Sequence, residues 1–317
     1  MTEVAKHVYC RASSHKPRLR FQYKGGRMLN NFSTLPNSLV RPAPIKIHEV
    51  IFIWVCVMLV WDYIVGTYGE GITNSIYLKF VGIALTMIYF SKRFLQRENL
   101  NFTQFMGAGF SVRALAELVA VLFASVVIGI GCWAVLVFLS AKIDIDWAYR
   151  HWHFAKPSTF DNTTWLPSWL VLQAITIVVL GPVVEEIVFR GFILRRLCEK
   201  YRLSVAIVVS SLMFGIVHFD QGFLGSFVNG IIYAIVAVRF ASLYAPIFVH
   251  GGYNAITFFI ERMYGVSLVA EKSRIDSIDY WLPELALLPF CLIALVWYWK
   301  MFFRTNEVTS PALVQRG

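Results

Sequence analysis

Two adjacent carboxylates stand inside an apolar stretch of this chain, in the run Gly181-Pro-Val-Val-Glu185-Glu186-Ile-Val-Phe189-Arg190-Gly191. An ionisable group within a membrane-spanning helix costs about 2.5–3.5 kcal/mol on insertion scales, so each one is a functional hypothesis. Glu186 and Arg190 are four residues apart, share a helix face and can pair. Glu185 points about 100° away and has no cation one turn from it on its own helix, which leaves it available as a general base. A second apolar run ends Phe214-Gly-Ile-Val-His218, and a third holds His250-Gly-Gly-Tyr-Asn254, again one turn apart on one face. A carboxylate in low dielectric can take a proton from water. A neighbouring imidazole can orient that water and help protonate a leaving amine. A His and an Asn one turn apart can donate hydrogen bonds to the negative oxygen of a tetrahedral intermediate. Together these groups suit hydrolysis of an amide bond. No G-x-S-x-G or H-E-x-x-H pattern offers a rival centre, and His48-Glu49 lacks the second His.

The elements that must position these groups are transmembrane helices. Of 317 residues, 57% are hydrophobic and only 15% charged, against about 25% charged for a soluble average. The mean hydropathy is +0.60. The chain has too few polar residues to cover a water-soluble surface, so it is expected to be an all-α, polytopic membrane helix bundle. At about 20 residues per span, the expected spans are His48 to Gly66, Ser75 to Phe90, Ala114 to Ser140, Ser168 to Leu194, Leu203 to Val217, Phe223 to Phe240, Ser242 to Arg262 and Trp281 to Met301. Three of these place the candidate residues at comparable depth. At 1.5 Å per residue, Glu185 lies about 15 Å from Arg195, His250 and Asn254 about 12 and 18 Å from Ser242, and His218 about 22 Å from Leu203. Gly191, Gly215, Gly251 and Gly252 permit close helix approach, and Gly181-Pro182 is placed to kink the fourth helix just before its acids.

The net charge of +10, from 29 Lys and Arg against 19 Asp and Glu, reads as topology. Residues 1–47 carry nine Lys and Arg against Glu3, the loop 67–74 carries none, and Lys92, Arg93, Arg97 and Arg113 follow. The loop 141–167 is mixed, and Arg195, Arg196, Lys200 and Arg202 come next. Alternate loops are basic, which with eight spans puts both termini in the cytoplasm. A nucleic-acid partner is therefore not expected; the bilayer itself is. Residues 1–47 read as a disordered cytoplasmic tail without a secretory core; an anionic-lipid contact, a targeting segment and a true start at Met28 are the alternatives. Cys56, Cys132 and Cys291 are single cysteines in apolar runs, read as small buried residues. His151-Trp152-His153 reads as exposed loop rather than a metal site. Asp62, Lys79, Glu117 and Glu284 read as interfacial or snorkelling groups.

Glu185-Glu186-x-x-Phe189-Arg190-Gly191, Phe214-x-x-x-His218 and His250-x-x-x-Asn254, in that order, resemble the three motifs of the CPBP family. These are the CAAX prenyl protease and bacteriocin-processing intramembrane proteases, also called the Abi family. The resemblance covers Ser168 to Met263, with Ala245-Pro246 also family-like. It divides the chain into the tail 1–47, N-terminal helices and loops 48–167, a catalytic core 168–263, and an outer loop, last helix and tail 264–317. It implies an endopeptidase acting on a membrane-associated or lipidated protein or peptide. Glu185 would activate water with help from His218, His250 and Asn254 would form the oxyanion site, and Glu186 and Arg190 would support the first acid. No cofactor is expected; zinc held by Glu185, His218 and His250 is the alternative. The resemblance implies the inner membrane in a bacterium or the endoplasmic reticulum in a eukaryote. The rival functions are a non-catalytic peptide-binding or bacteriocin-immunity protein of the same fold, and a proton-coupled transporter, against which the sequence shows no inverted repeat.

Overall fold

The computed structural model describes residues 45–69, 75–152, 167–264 and 272–308. The tail before residue 45, His153 and the loop 153–166 lie outside the described residues. Seven of the eight expected spans fall on one continuous helix each, and the eighth, Trp281 to Met301, falls across two helices bent by 41°. The long ones are α1 (Ile47–Tyr68), α2 (Ser75–Arg97) and α4 (Val112–Ile143), with short α3 (Phe102–Met106) and α5 (Ile145–His151) beside them. α6 (Pro167–Ala174), α7 (Gly181–Glu186) and α8 (Arg195–Cys198) follow. They are joined into one continuous rod by two π-helical stretches, Ile175–Leu180 and Ile187–Leu194; this rod is called the site helix below. α9 (Leu203–Val217), α10 (Phe219–Phe240), α11 (Tyr244–Tyr264), α12 (Ile278–Leu285) and α13 (Leu288–Val308) complete the bundle. Among the described residues the β structure amounts to a single bridge between Gly107 and Ser242.

Four helical segments are long and apolar enough to cross a bilayer: Ile47–Tyr68, Val112–Ile143, Leu170–Cys198 and Gly222–Phe240. The pair α12 and α13, bent by 41°, makes a fifth if it is one span. α9 is apolar but short at 15 residues. α2 and α11 are diluted by the residues that make them interesting: Lys79, Lys92, Arg93 and Arg97 on one, His250, Asn254 and Glu261 on the other. The chain is an integral, multi-pass membrane protein built as an all-α bundle.

The site helix runs through the middle of this bundle. All eight residues of its second π stretch, Ile187 to Leu194, are buried. Phe189 meets Trp54 of α1 and Phe214 of α9 edge-on, with ring centroids 5.4 and 5.1 Å away. On its other side α4 and α10 cross at small residues, where a Cβ on Gly225 would stand 3.2 Å from the Gly129 carbonyl oxygen. Without a hydrophobic driving force between helices in lipid, such close backbone contact is what holds them. Two glycines are required by their backbones. Gly222 (φ +123°) breaks α10 near its start. Gly107 (φ +79°) turns after α3, where a Cβ would lie 2.3 Å from the Ala241 carbonyl oxygen.

Several charges outside the centre are paired, among them three of the four read as interfacial or snorkelling groups. Lys79 donates to Asp62 at 2.6 Å. Glu117 accepts from Arg239 through both carboxylate oxygens and from the Tyr298 hydroxyl, tying α4, α10 and α13 together. At the far end of the site helix, Arg195 and Arg196 both donate to Glu98, in the turn just after α2. Outside the spans, Lys272 pairs with Asp146 and holds its carboxyl below the ordinary carboxylate range. His151 ends α5 instead of lying in an exposed loop, half-buried and stacked on Trp147 with ring centroids 4.2 Å apart. Cys56, Cys132 and Cys291 are free thiols.

Candidate active site

The local sequence explains why the site helix departs from α geometry. Gly181 sends its N–H five residues back, to the Thr176 carbonyl, instead of four. Pro182 follows and has no N–H at all. Short π stretches inside α-helices cost regularity and are found mostly at functional sites; here two of them bracket the acidic pair.

Glu186 is fully buried and organises the deep side of the site. Its Oε1 accepts from Arg190 Nη1 at 2.9 Å and from His250 Nδ1 at 2.9 Å. Arg190 also donates through Nη2 to the Gly230 carbonyl at 3.1 Å. Its guanidinium carbon lies 4.5 Å from the Phe214 ring centre and 5.4 Å from that of Tyr233, positions where an aromatic face attracts a cation. A buried charge pair in low dielectric needs further polar partners; this one has His250 and the Gly230 carbonyl, while Glu186 Oε2 and Arg190 Nε stay without a hydrogen bond within the protein.

Glu185, turned away from Glu186, keeps its side chain 26% exposed. Its Oε2 is nevertheless buried and makes no hydrogen bond within the protein. It faces two imidazoles, His218 Nε2 at 3.5 Å and His250 Nε2 at 3.8 Å. His218 caps the C-terminus of α9 with non-helical backbone angles, and its Nδ1 lies 2.8 Å from the Phe214 carbonyl. A carbonyl only accepts, so the proton sits on Nδ1. His250 likewise gives its Nδ1 proton to Glu186. In the neutral imidazoles both Nε2 atoms are therefore bare acceptors, aimed with Glu185 Oε2 at one place. Three acceptors facing each other are repulsive until a donor stands between them, and water, with two protons, is such a donor.

Asn254, one turn beyond His250 on α11, is committed differently. Its Nδ2 donates to the Ile177 carbonyl at 2.9 Å, eight residues before Glu185 on the site helix. One amide proton remains for other work. Between the two, Gly251 lies so close that a Cβ would stand 2.8 Å from the Val178 carbonyl oxygen. Gly251→Ala must therefore push backbone against backbone and is expected to lower stability by about 1–3 kcal/mol. Gly66→Ala, with nothing within 4 Å of its Cβ, is not; thermal unfolding of the two variants in detergent tests the contrast.

The fold thus gathers Glu185, Glu186, Arg190, His218 and His250 into one connected cluster from three helices and fastens Asn254 to the site helix beside it. Two features had no signal in the spacing. Glu186 orients His250 as well as pairing Arg190. Tyr233 of α10 stacks on the His250 ring, with centroids 4.8 Å apart and planes at 19°, and its hydroxyl lies 3.3 Å from Ser125, itself bonded to Asn229. Among the described residues no group of three His, Cys, Asp or Glu side chains is arranged to hold a metal ion. The 3.5 and 3.8 Å separations at Glu185 exceed the about 3.3 Å between neighbouring ligands of a tetrahedral zinc bound at about 2.0–2.1 Å. A carboxylate and two imidazoles are donors that zinc takes, but these separations are wider than a bound ion would impose.

Residues 167–256 match the model of a family described as Type II CAAX prenyl endopeptidase Rce1-like. Over 86 residues the chain is 36% identical to a protein of Bacillus subtilis (strain 168) named putative membrane peptidase YdiL. That stretch is 25% of this chain, and it spans about a third (35%) of the length of the curated relative. No solved structure matches the chain significantly. The matched segment, less than a third of the chain, contains Glu185, Glu186, Arg190, His218, His250 and Asn254.

Proposed function

We propose that this protein is an intramembrane endopeptidase that hydrolyses a peptide bond of a membrane-associated or lipidated protein or peptide. The observation that carries the reading is the convergence of Glu185 Oε2 with two imidazole Nε2 atoms whose Nδ1 protons are already committed. A water held there donates one proton toward Glu185 and the other toward His218. As its oxygen attacks the carbonyl carbon, Glu185 takes the first proton and the carbonyl oxygen becomes an oxyanion. The free N–H of Asn254 is one donor for that oxygen. His250 is a second when it carries both ring protons, with Glu186 facing the one on Nδ1. When the tetrahedral intermediate collapses, the C–N bond breaks and Glu185 passes its proton to the amine, so water is divided between the two product ends. Electrostatic preorganisation of this kind is commonly the largest single contribution to catalysis.

With the basic loops in the cytoplasm, the scissile bond is read near the cytoplasmic side or the midplane of the bilayer. The decisive experiment compares membrane peptides accumulating in cells that carry Glu185→Gln with those in wild type. A substrate that builds up, together with a missing cleavage product, supports the enzyme. Identical peptide profiles alongside retained biological activity support a binder of the same fold instead. A glutamate mechanism without metal further requires that EDTA leave the cleavage rate of the purified protein unchanged and that elemental analysis find no stoichiometric zinc. Loss of cleavage on chelation and its return with zinc would move Glu185, His218 and His250 to the role of ligands.

A further inference from the structure

Backbone accounting along the site helix singles out one acceptor. In α register the Ile177 carbonyl would be met by the N–H of residue 181, and in π register by that of residue 182. Gly181 gives its N–H to Thr176, and residue 182 is proline, which has none. Ile177 therefore loses its helical donor in either register. A buried carbonyl without a partner is costly, and in lipid no bulk water relieves it. Asn254 supplies the missing hydrogen bond from another helix, at 2.9 Å, and the missing Cβ of Gly251 lets α11 come near enough to do so. The orientation of the amide is not ambiguous, because its oxygen would face another oxygen if it were turned over.

We infer that Pro182 is a positioning residue: by withholding an N–H it frees the Ile177 carbonyl as a dock that fixes Asn254, and with it the oxyanion side of the site. This rests on the proteolytic reading for its catalytic consequence but not for the docking itself. The sequence carries the logic in two places 72 residues apart, one removing a donor and the other providing it.

Pro182→Ala tests it, since alanine is the best tolerated residue in a helix. The new N–H at residue 182, or that of Gly181 in a restored α register, then takes Ile177 and Asn254 is released. The variant is expected to hold or raise thermal stability while kcat falls about 3–10-fold, the worth of one net hydrogen bond, with KM little changed. Combined with Asn254→Ala, the effects should not multiply: the double variant should cleave no more slowly than Asn254→Ala alone. An arm independent of activity follows unfolding in detergent. Asn254→Ala should destabilise the wild type and leave the Pro182→Ala background unaffected. Asn254→Asp, which sets two acceptors against each other, should destabilise the wild type at least as much as Asn254→Ala. Multiplying effects on kcat, wild-type kcat in Pro182→Ala, or an Asn254→Asp as stable as wild type would each overturn the inference. If the wild-type protein cleaves no membrane peptide the proteolytic reading fails, and the unfolding arm still decides the dock.

Discussion

Glu185→Gln is expected to slow peptide-bond cleavage by about 10²–10⁴-fold, the range that positioned general acid–base groups contribute. The substitution keeps the size and shape of the side chain and removes its ability to accept a proton. The fold should hardly notice. Glu185 Oε2 makes no hydrogen bond within the protein, and the buried ion pair belongs to Glu186 and Arg190. The measurement is cleavage of a membrane peptide by the purified protein in liposomes, with thermal unfolding of both proteins as the control. A variant that unfolds like wild type and cleaves like wild type would sink the assignment of Glu185 as the base.

Glu186→Ala should fail in the opposite way. It leaves Arg190 buried with one carbonyl partner and lets the His250 ring turn, and removing one partner of a buried ion pair costs about 3–5 kcal/mol. Against a typical total of about 5–15 kcal/mol, that is enough to deplete folded protein. The double substitution Glu186→Leu with Arg190→Met removes both charges, and apolar replacement of a buried pair is often neutral. Folded protein should then return, read by size exclusion and unfolding in detergent, while cleavage stays absent because nothing holds His250 Nδ1. If Glu186→Ala folds and cleaves normally, the deep acid is not the organiser described above.

These two outcomes also separate what the sequence reveals from what it does not. Two adjacent acids in an apolar run, with Arg190 one turn on, suffice to place Glu185 and Glu186 on different faces and to pair the second one. The eight apolar runs suffice to find the helices, because lipid leaves a chain little choice but to satisfy its backbone internally. What spacing does not carry is contact between helices. The second bond of Glu186, to His250, joins residues 64 apart. Tyr233 matters through a ring face, and nothing in the pattern around it differs from ordinary packing. The π stretches shift the helical phase on both sides of the acids, so a count at 3.6 residues per turn drifts there. His218 reads as the end of a span and proves to be a cap, outside the regular helix and free to aim its ring.

The shortness of α9 has a further bearing on the membrane around it. Fifteen residues rise about 22 Å, well under the about 30 Å of a hydrocarbon core. Were α9 to cross by itself, the lipids beside it would have to tilt, compress or let headgroups sink toward the chain where it turns after His218, at a modest expense per ångström. A dimple of this sort would carry hydration inward at the place where the attacking oxygen has to arrive, and would make enzyme behaviour sensitive to acyl-chain length in the host bilayer.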